Sequence, residues 1–350
     1  MNNGDKRRSR RRQQVSRSYR VRYDRLVAAV LVLIVLIVII TTCIMSCSKD
    51  DKKSSDTSQQ TTNSENLTKN TIVDDLRTSG ETRAIIGSTD TETTTVPQFT
   101  TEMHSARDIH RGDLILVNEL HEYSFESEDS ELLTLYDHIA KDYYNVSDYV
   151  IKLDSQVIDQ LNSLMEAFYS ETGCDYLWVI GGYRTLEEQN DRYNNGQSRF
   201  QGGYSDYHTG RSFDLGIFPK DGTSSGYYTP TGDYAWFDEH AAEYGFIVRF
   251  PDGKDGTTGE SARTQTYRYV GVPHAVYIKQ NGLCLEEYIS EVKAHSYDDP
   301  IEVTVDGKVY SVYYVAGSES GDTEVTVPAN KTYTVSGNNS DGFIVTVELN

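Results

Sequence analysis

Apolar residues are distributed very unevenly along this chain of 350 residues. Residues 26–45 are apolar apart from Thr41 and Thr42, and about 20 such residues are enough to cross a bilayer. Residues 48–105 are instead rich in Ser, Thr, Asp and Asn, a composition that cannot bury a core. The pattern therefore predicts a membrane anchor over residues 26–47, a disordered stalk over 48–105 and a folded region after it.

The folded region begins with a helical pattern whose two ends are marked. Asp154 is a suitable N-cap and Gly173 a suitable stop. Thr185 and Glu188 form a capping box that opens a second helix, and Pro273 suits the first turn of a later one. The apolar positions of the first helix, which recur at helical spacing, are Val157, Ile158, Leu161, Leu164, Met165 and Phe168.

Short apolar runs between these helices predict strands over residues 176–180, 212–218, 246–250 and 266–270. A further helix is predicted over residues 233–244, ending at Gly245. Helices and strands around one sheet indicate an α+β domain.

The pattern changes after about residue 299. Residues 301–305 and 310–315 alternate between apolar and polar side chains, and Asp306-Gly307 lies between them, which is a hairpin signal. Residues 324–327, 332–335 and 343–348 continue the alternation. We therefore predict a small all-β module over residues 299–350. The pattern leaves open whether this module packs on the main domain or binds a separate partner.

Charge refines the predicted location. Residues 1–25 hold ten Lys and Arg residues against Asp5 and Asp24, a basic flank that belongs in the cytoplasm. Without that tail the chain has 23 basic and 51 acidic residues, a net charge of about −28, which argues against nucleic-acid binding. We expect a single-pass protein with its folded region outside the cell. A cleaved signal peptide, and a lipoprotein anchored at Cys47, are the alternatives.

Two cysteines, Cys174 and Cys284, lie in the folded region. Outside the cell they can pair as a disulfide, or they can be unpaired core residues. Nothing in their spacing suggests zinc.

The run Ser205-Asp206-Tyr207-His208-Thr209-Gly210-Arg211-Ser212-Phe213-Asp214 carries the main chemical signal. It resembles the core motif of VanY-type D-alanyl-D-alanine carboxypeptidases, metallopeptidase family M15 subfamily B, which is Ser-x-His-x-x-Gly-x-Ala-x-Asp. Further similar blocks are residues 109–118, 182–185 with Gln189, 244–251 and 267–271. The resemblance covers about residues 107–292. It implies a D,D-peptidase/hedgehog-like domain, assigned to 106–295, with a single mixed or antiparallel sheet and flanking helices.

The resemblance also implies roles for single positions. In the family the His and Asp of the core motif bind zinc, and here those positions hold Tyr207 and Asp214. The family's general-base Glu and third zinc ligand, a His, align with Arg263 and Thr266. The resemblance implies that Arg184 holds the C-terminal carboxylate of the substrate. The other implied substrate-binding residues are Tyr183, Gln189 and Ser205.

These substitutions give three hypotheses about function. In the first, the domain binds peptidoglycan stem peptides ending in D-Ala-D-Ala but has lost zinc and catalysis. We then expect Arg263 to enter the former zinc site and pair with Asp214 within about 4 Å. In the second, the enzyme is active through a displaced zinc site made of His208, Asp214 and His274. In the third, the domain is a structural scaffold of the cell envelope, and Arg184 only forms a structural salt bridge.

Overall fold

The computed structural model describes residues 98–221, 223, 225–318 and 321–350. The predicted basic tail, membrane anchor and most of the predicted stalk lie outside these residues. Within the described part of the chain, no helix is long and apolar enough to cross a membrane.

The described residues form fourteen strands and seven α-helices. The strands are β1 Phe99–His104, β2 Leu132–Thr134, β3 Asn145–Val146, β4 Lys152–Asp154, β5 Leu177–Gly181, β6 Ser212–Ile217, β7 Gly226–Tyr227, β8 Phe246–Phe250, β9 Arg263–Tyr269, β10 Ile301–Val305, β11 Lys308–Ala316, β12 Thr323–Pro328, β13 Tyr333–Gly337 and β14 Gly342–Glu348. The helices are α1 Leu135–His138, α2 Ser155–Thr172, α3 Leu186–Asn194, α4 Ala235–His240, α5 Asp255–Thr258, α6 Val272–Asn281 and α7 Leu285–Val292.

The central sheet has the strand order β3-β5-β6-β9-β8, and β7 pairs with the end of β6. β3 and β5 are parallel, whereas the other neighbours are antiparallel, so the sheet is mixed as expected. β6 lies in the middle, and all its residues except the last are buried. This central position carries Asp214 into the interior of the domain.

Helix α2 covers one face of this sheet. Its six predicted apolar positions are all buried in the main core together with Leu177 and Phe213 of the sheet. The Asp154 carboxylate accepts a hydrogen bond from the Gln156 amide, which caps the first turn. Gly173 ends the helix in the left-handed region, at φ 68°, where a side chain would be strained. Both helix ends were therefore predicted correctly.

The C-terminal strands form a second sheet with the order β10-β11-β14-β13. Asp306 and Gly307 both have positive φ, at 49° and 79°, as a two-residue hairpin of the predicted kind requires. Ile301, Val303 and Ile344 share one hydrophobic cluster with Ile247 and Ala275 of the preceding domain. The β module therefore packs on the main domain, which is the first of the two arrangements that the sequence left open.

The structure corrects two sequence predictions, for residues 99–104 and 233–244, and decides whether the two cysteines are paired. Residues Phe99–His104 were assigned to the stalk, but they form β1 and pair with β12. Most β1 side chains are exposed, so its sequence has no burial pattern and the strand depends on its partner. The helix predicted over 233–244 is α4 flanked by 3-10 turns, although it ends at Gly245 as expected. Cys174 and Cys284 are separate buried thiols.

Candidate functional site

The site is built on two neighbouring strands of the central sheet. β6 and β9 are paired so that Asp214 lies directly opposite Thr266. The Thr266 hydroxyl donates a hydrogen bond of 2.6 Å to Oδ1 of Asp214. Since both side chains are buried, this bond satisfies one lone pair of a carboxylate that has little access to water.

A single 3-10 turn, Asp206–Thr209, places Tyr207 over the same carboxylate. The Tyr207 hydroxyl donates to Oδ1 of Asp214 at 2.7 Å. Burial raises the pKa of Tyr207 well above its usual range, so the side chain remains a neutral phenol and a hydrogen-bond donor. The turn ends at Gly210 with φ 68°, and a Cβ there would lie 2.6 Å from Cδ2 of Leu132. The glycine of the motif is therefore favoured by its left-handed conformation, and a larger residue would also have to displace the end of the Leu132 side chain.

Two guanidinium groups face the other oxygen of Asp214. Nη2 of Arg263 lies 3.6 Å from Oδ2, and Nη2 of Arg184 lies 3.9 Å from it. The predicted Asp214–Arg263 ion pair is therefore confirmed. Arg184 also stacks on Tyr207, with its Cζ 3.6 Å from the ring centre, and donates to Oε1 of Gln189 at 3.1 Å.

The charges of this cluster do not cancel. Two guanidinium groups face one carboxylate, and arginine keeps its proton in proteins. Burial is the main reason that the pKa of Arg184 is lowered. Burial also acts to lower the pKa of Arg263, but its acidic neighbours, Asp214 and Glu260 among them, outweigh this effect and raise it. The side chains of Asp214, Arg184 and Arg263 together carry one positive charge in excess, which favours an anionic ligand, and Glu260 offsets part of this charge beside Arg263.

The two histidines of the displaced-site hypothesis are not brought together with Asp214. Nδ1 of His208 lies 2.7 Å from the Arg184 carbonyl oxygen, and its Nε2 accepts the Gly203 N–H at 3.0 Å. These bonds assign a neutral ring with its proton on Nδ1, and burial lowers the pKa of His208 accordingly. Both ring nitrogens are thus engaged in holding backbone.

His274 lies elsewhere, where helix α6 meets the C-terminal sheet. Its Nδ1 is 2.6 Å from the Tyr288 hydroxyl, and its Nε2 is 3.0 Å from Oγ1 of Thr346. Burial lowers its pKa to about 3. Among the described residues, no group of three His, Cys, Asp or Glu side chains is arranged to hold a metal ion.

The other three residues predicted to bind substrate, Tyr183, Gln189 and Ser205, form hydrogen bonds that hold the backbone around the site. The Tyr183 N–H donates to the Lys152 carbonyl oxygen at 2.9 Å, which fixes the backbone before Arg184. Gln189 is fully buried, and its Nε2 donates to the Phe200 carbonyl oxygen at 2.6 Å. Ser205 is buried, and its carbonyl oxygen accepts the His208 N–H.

One part of the motif was not singled out from the sequence. Asp206 is buried beside Tyr207, and its Oδ1 lies 2.6 Å from Nη1 of Arg268 and 3.3 Å from Nε of Arg249. Burial opposes ionisation of Asp206, but the two guanidinium groups outweigh it and lower the pKa of the carboxyl. The signal was present, because two arginines in predicted buried strands require a buried anion.

These residues do not fit a catalytic zinc ion. Such a site needs three ligands drawn from His, Cys and carboxylate side chains, with a fourth position open for water. Here Tyr207 and Thr266 direct hydroxyl protons at Asp214, and Arg263 brings a permanent positive charge to within 3.6 Å of it. A cation beside the one retained ligand repels a second cation.

Comparison with known proteins agrees with the fold and the motif. The family model described as VanY, D-alanyl-D-alanine carboxypeptidase, matches residues 150–272. A D-alanyl-D-alanine carboxypeptidase of Enterococcus faecium is 30% identical over 242 residues, which are 68% of this chain and 76% of that protein. The chain belongs to the VanY-type D-alanyl-D-alanine carboxypeptidase family.

Other members of the family are also similar. The bifunctional D-Ala-D-Ala dipeptidase and D-Ala-D-Ala carboxypeptidase VanXYC of Enterococcus gallinarum is 29% identical over 155 residues, 41% of this chain and 80% of that protein. The crystal structure of the vancomycin resistance D,D-dipeptidase VanXYg, in complex with a D-Ala-D-Ala phosphinate analogue, superimposes with a TM-score of 0.63. That match is 27% identical and covers 72% of this chain and all of the other. The chain thus contains a D-alanyl-D-alanine carboxypeptidase-like domain.

Proposed function

We propose that this domain binds the C-terminus of peptidoglycan stem peptides in the cell envelope without cleaving them by zinc hydrolysis. The observation that carries the proposal is the pair of guanidinium groups facing Asp214, 3.6 and 3.9 Å from its Oδ2. The related proteins are named for their action on D-Ala-D-Ala, which suggests which carboxylate this positive site would take.

The loss of hydrolysis follows from the chemistry of the substituted positions. Metal-assisted hydrolysis needs a metal-bound water and a nearby base that takes its proton. Arg263 stands at the position that the family fills with its general base, and a guanidinium group cannot accept a proton at neutral pH. Tyr207 stays protonated because burial raises its pKa, and its hydroxyl already donates to Asp214.

Binding requires only the positive charge and access to it. The side chains of Arg184 and Arg263 are 11% and 28% exposed, so Arg263 is the more accessible of the two cations. A peptide carboxylate can approach Arg263 from solvent and share the guanidinium groups with Asp214, forming charge-assisted hydrogen bonds. The excess positive charge of the cluster favours this arrangement.

Isothermal titration calorimetry of the purified protein tests the proposal. A peptide ending in D-Ala-D-Ala should bind weakly, and the same peptide with a C-terminal amide should not. Arg184→Ala should weaken binding by about ten- to a hundredfold, the loss of one charge-assisted pair. Arg107→Ala, which removes an exposed arginine outside the site, should have no effect.

Two outcomes would support the other hypotheses. Release of D-alanine from the peptide would restore the active-enzyme hypothesis, although His208 and His274 have other hydrogen-bond partners. Absence of binding at millimolar peptide would favour a structural scaffold, with Arg184 serving only as a salt bridge.

We also propose that residues 26–47 tether this domain to the outer face of the membrane, since a basic run precedes an apolar stretch of bilayer length. Protease added to intact cells stripped of their wall should then remove the folded domain and spare the N-terminal tail. Complete protection of the domain would overturn this orientation, and lipid on Cys47 would replace the span by a lipid anchor.

A further inference from the structure

A surface cleft near Arg184 has no role in the proposed function. It has a volume of about 320 Å³ and is lined by Glu119, Tyr193, Arg199, Phe200, Gln201 and Tyr204. Gln189 connects the two places, because its Oε1 accepts from Arg184 at 3.1 Å and its Nε2 donates to the Phe200 carbonyl oxygen at 2.6 Å. One buried side chain therefore bridges Arg184 and the wall of this cleft.

The loop that forms the floor of the cleft is held firmly from three directions. The Gly202 N–H donates to Oδ1 of Asn190 in α3 at 2.9 Å, and the Gly203 N–H donates to Nε2 of His208 at 3.0 Å. The Gly203 carbonyl oxygen accepts the Tyr123 N–H at 2.7 Å. A loop fixed in this way presents its side chains without a large entropic cost on binding.

The side chains that this loop and helix α3 present are aromatic and polar. Tyr193 is 45% exposed, although large aromatic side chains are normally covered. Nε of Arg199 lies 2.8 Å from Oε1 of Glu119, and both side chains are about half exposed. The pair has no net charge, yet it offers several donors and acceptors to a ligand.

The exposed aromatic rings and the uncharged set of polar groups in this cleft indicate which class of ligand it can bind. Aromatic rings contact apolar faces, while the planar groups of Arg199, Glu119 and Gln201 hydrogen-bond polar edges. The Tyr204 hydroxyl donates to Oε2 of Glu122 at 3.2 Å, which fixes the orientation of the tyrosine ring. A neutral ring that is apolar on its faces and carries hydroxyl and amide groups on its edge matches both requirements. An N-acetylated sugar has these properties, whereas a strongly charged ligand would gain nothing from a neutral ion pair.

We propose that this cleft binds the N-acetylated glycan of peptidoglycan while Arg184 holds the stem peptide of the same chain. The peptide half of this statement rests on the proposed function, but the glycan half does not. A stem peptide of about five residues spans at most about 17 Å when extended. That reach is ample for a cleft joined to Arg184 through a single glutamine side chain.

Calorimetry with three probes tests the proposal on the whole protein. The probes are a tetramer of N-acetylglucosamine, a free peptide ending in D-Ala-D-Ala, and a muramyl peptide that carries the same sequence. We expect the sugar tetramer to bind by itself and the muramyl peptide to bind at least tenfold more tightly than the free peptide. Tyr193→Ala should weaken binding of the tetramer by about three- to tenfold, the effect of losing one aromatic stacking partner.

Matched variants separate this cleft from the Arg184 site. Tyr149→Ala, which removes a tyrosine 68% exposed and outside the cleft, should leave sugar binding unchanged. Arg184→Ala should weaken binding of the free peptide and leave binding of the sugar tetramer unchanged. Gln201→Ala provides a second variant of the cleft in case Tyr193→Ala impairs folding, which circular dichroism would reveal.

Each outcome has a distinct meaning. If the free peptide binds, but the tetramer does not and the muramyl sugar adds nothing, the glycan proposal is overturned and the proposed function stands. If the tetramer binds but the peptide does not, the proposed function fails and the cleft assignment stands. Sugar binding that neither Tyr193→Ala nor Gln201→Ala weakens would place the glycan elsewhere and refute the assignment.

Discussion

Replacing Arg263 by alanine removes the group that stands where the family has its general base. Oδ1 of Asp214 would keep the hydroxyls of Tyr207 and Thr266, at 2.7 and 2.6 Å. Oδ2 would keep only Arg184, 3.9 Å away. The variant therefore leaves a buried carboxylate with half of its cationic partners.

The size of the effect follows from how deeply this pair is buried. Removing one partner of a fully buried ion pair costs about 3–5 kcal/mol, whereas exposed pairs contribute about 0–1 kcal/mol. The Asp214 side chain is 9% exposed and that of Arg263 is 28% exposed, so the pair lies between these limits. Because Arg184 remains close by, we expect Arg263→Ala to lower the free energy of unfolding by about 1–3 kcal/mol.

Urea unfolding followed by circular dichroism measures this loss, and a double-mutant cycle with Asp214→Asn isolates the pair. In the Asp214→Asn background, Arg263→Ala should cost at least about 1 kcal/mol less than in the wild type. Arg107→Ala, which removes an exposed arginine, should change stability by less than about 0.5 kcal/mol. If Arg263→Ala has no larger effect than that control, or if the two changes are additive, Arg263 does not replace the metal charge.

Three further predictions follow from the same contacts. The pKa of His274 falls from 6.5 to about 3 on folding, so between these pH values the unfolded chain binds more protons and the free energy of unfolding should fall on acidification. The free energy of unfolding should change with pH by up to about 1.4 kcal/mol per pH unit. Unfolding curves at pH 7, 6 and 5 should show that it depends less steeply on pH in His274→Gln than in the wild type. Asp154→Ala should cost at least about 0.5–2 kcal/mol, because it removes the α2 cap and also the acceptor of the Glu131 N–H, whereas Asp159→Ala on the exposed face should cost little. A triple variant can restore the family residues through the changes Tyr207→His, Thr266→His and Arg263→Glu. This variant should bind close to one zinc per chain, as measured by elemental analysis.

Much of the fold could be predicted because local signals and tertiary structure agree. Asp154 and Gly173 mark the two ends of α2, and its apolar face is the face that packs on the sheet. β1 could not be predicted, because its side chains are mostly exposed and its Thr-rich composition matches that of the stalk. What makes it a strand is the edge of β12, more than 200 residues later in the chain.

The candidate site could likewise be predicted only in part from the sequence. Alignment with the family motif identified Asp214, Tyr207, Thr266 and Arg263 as neighbours, and the register of β6 and β9 brings them together. Sequence alone indicated a role for Arg184 in holding substrate or in a salt bridge with an unnamed partner, and it does not show that the Arg184 guanidinium lies 3.9 Å from the Asp214 carboxylate. The displaced-site hypothesis includes His208 because this residue is adjacent to the motif position. Its actual role, bridging the Arg184 carbonyl and the Gly203 N–H, depends on a loop whose position the sequence does not specify.

The zinc content of the purified protein tests the central claim most directly. After incubation with excess zinc and removal of free metal, elemental analysis should find far less than one zinc per chain, because the Arg263 guanidinium lies 3.6 Å from the one retained ligand. One tightly held zinc per chain, lost in His208→Ala, would contradict the account and establish a displaced metal centre.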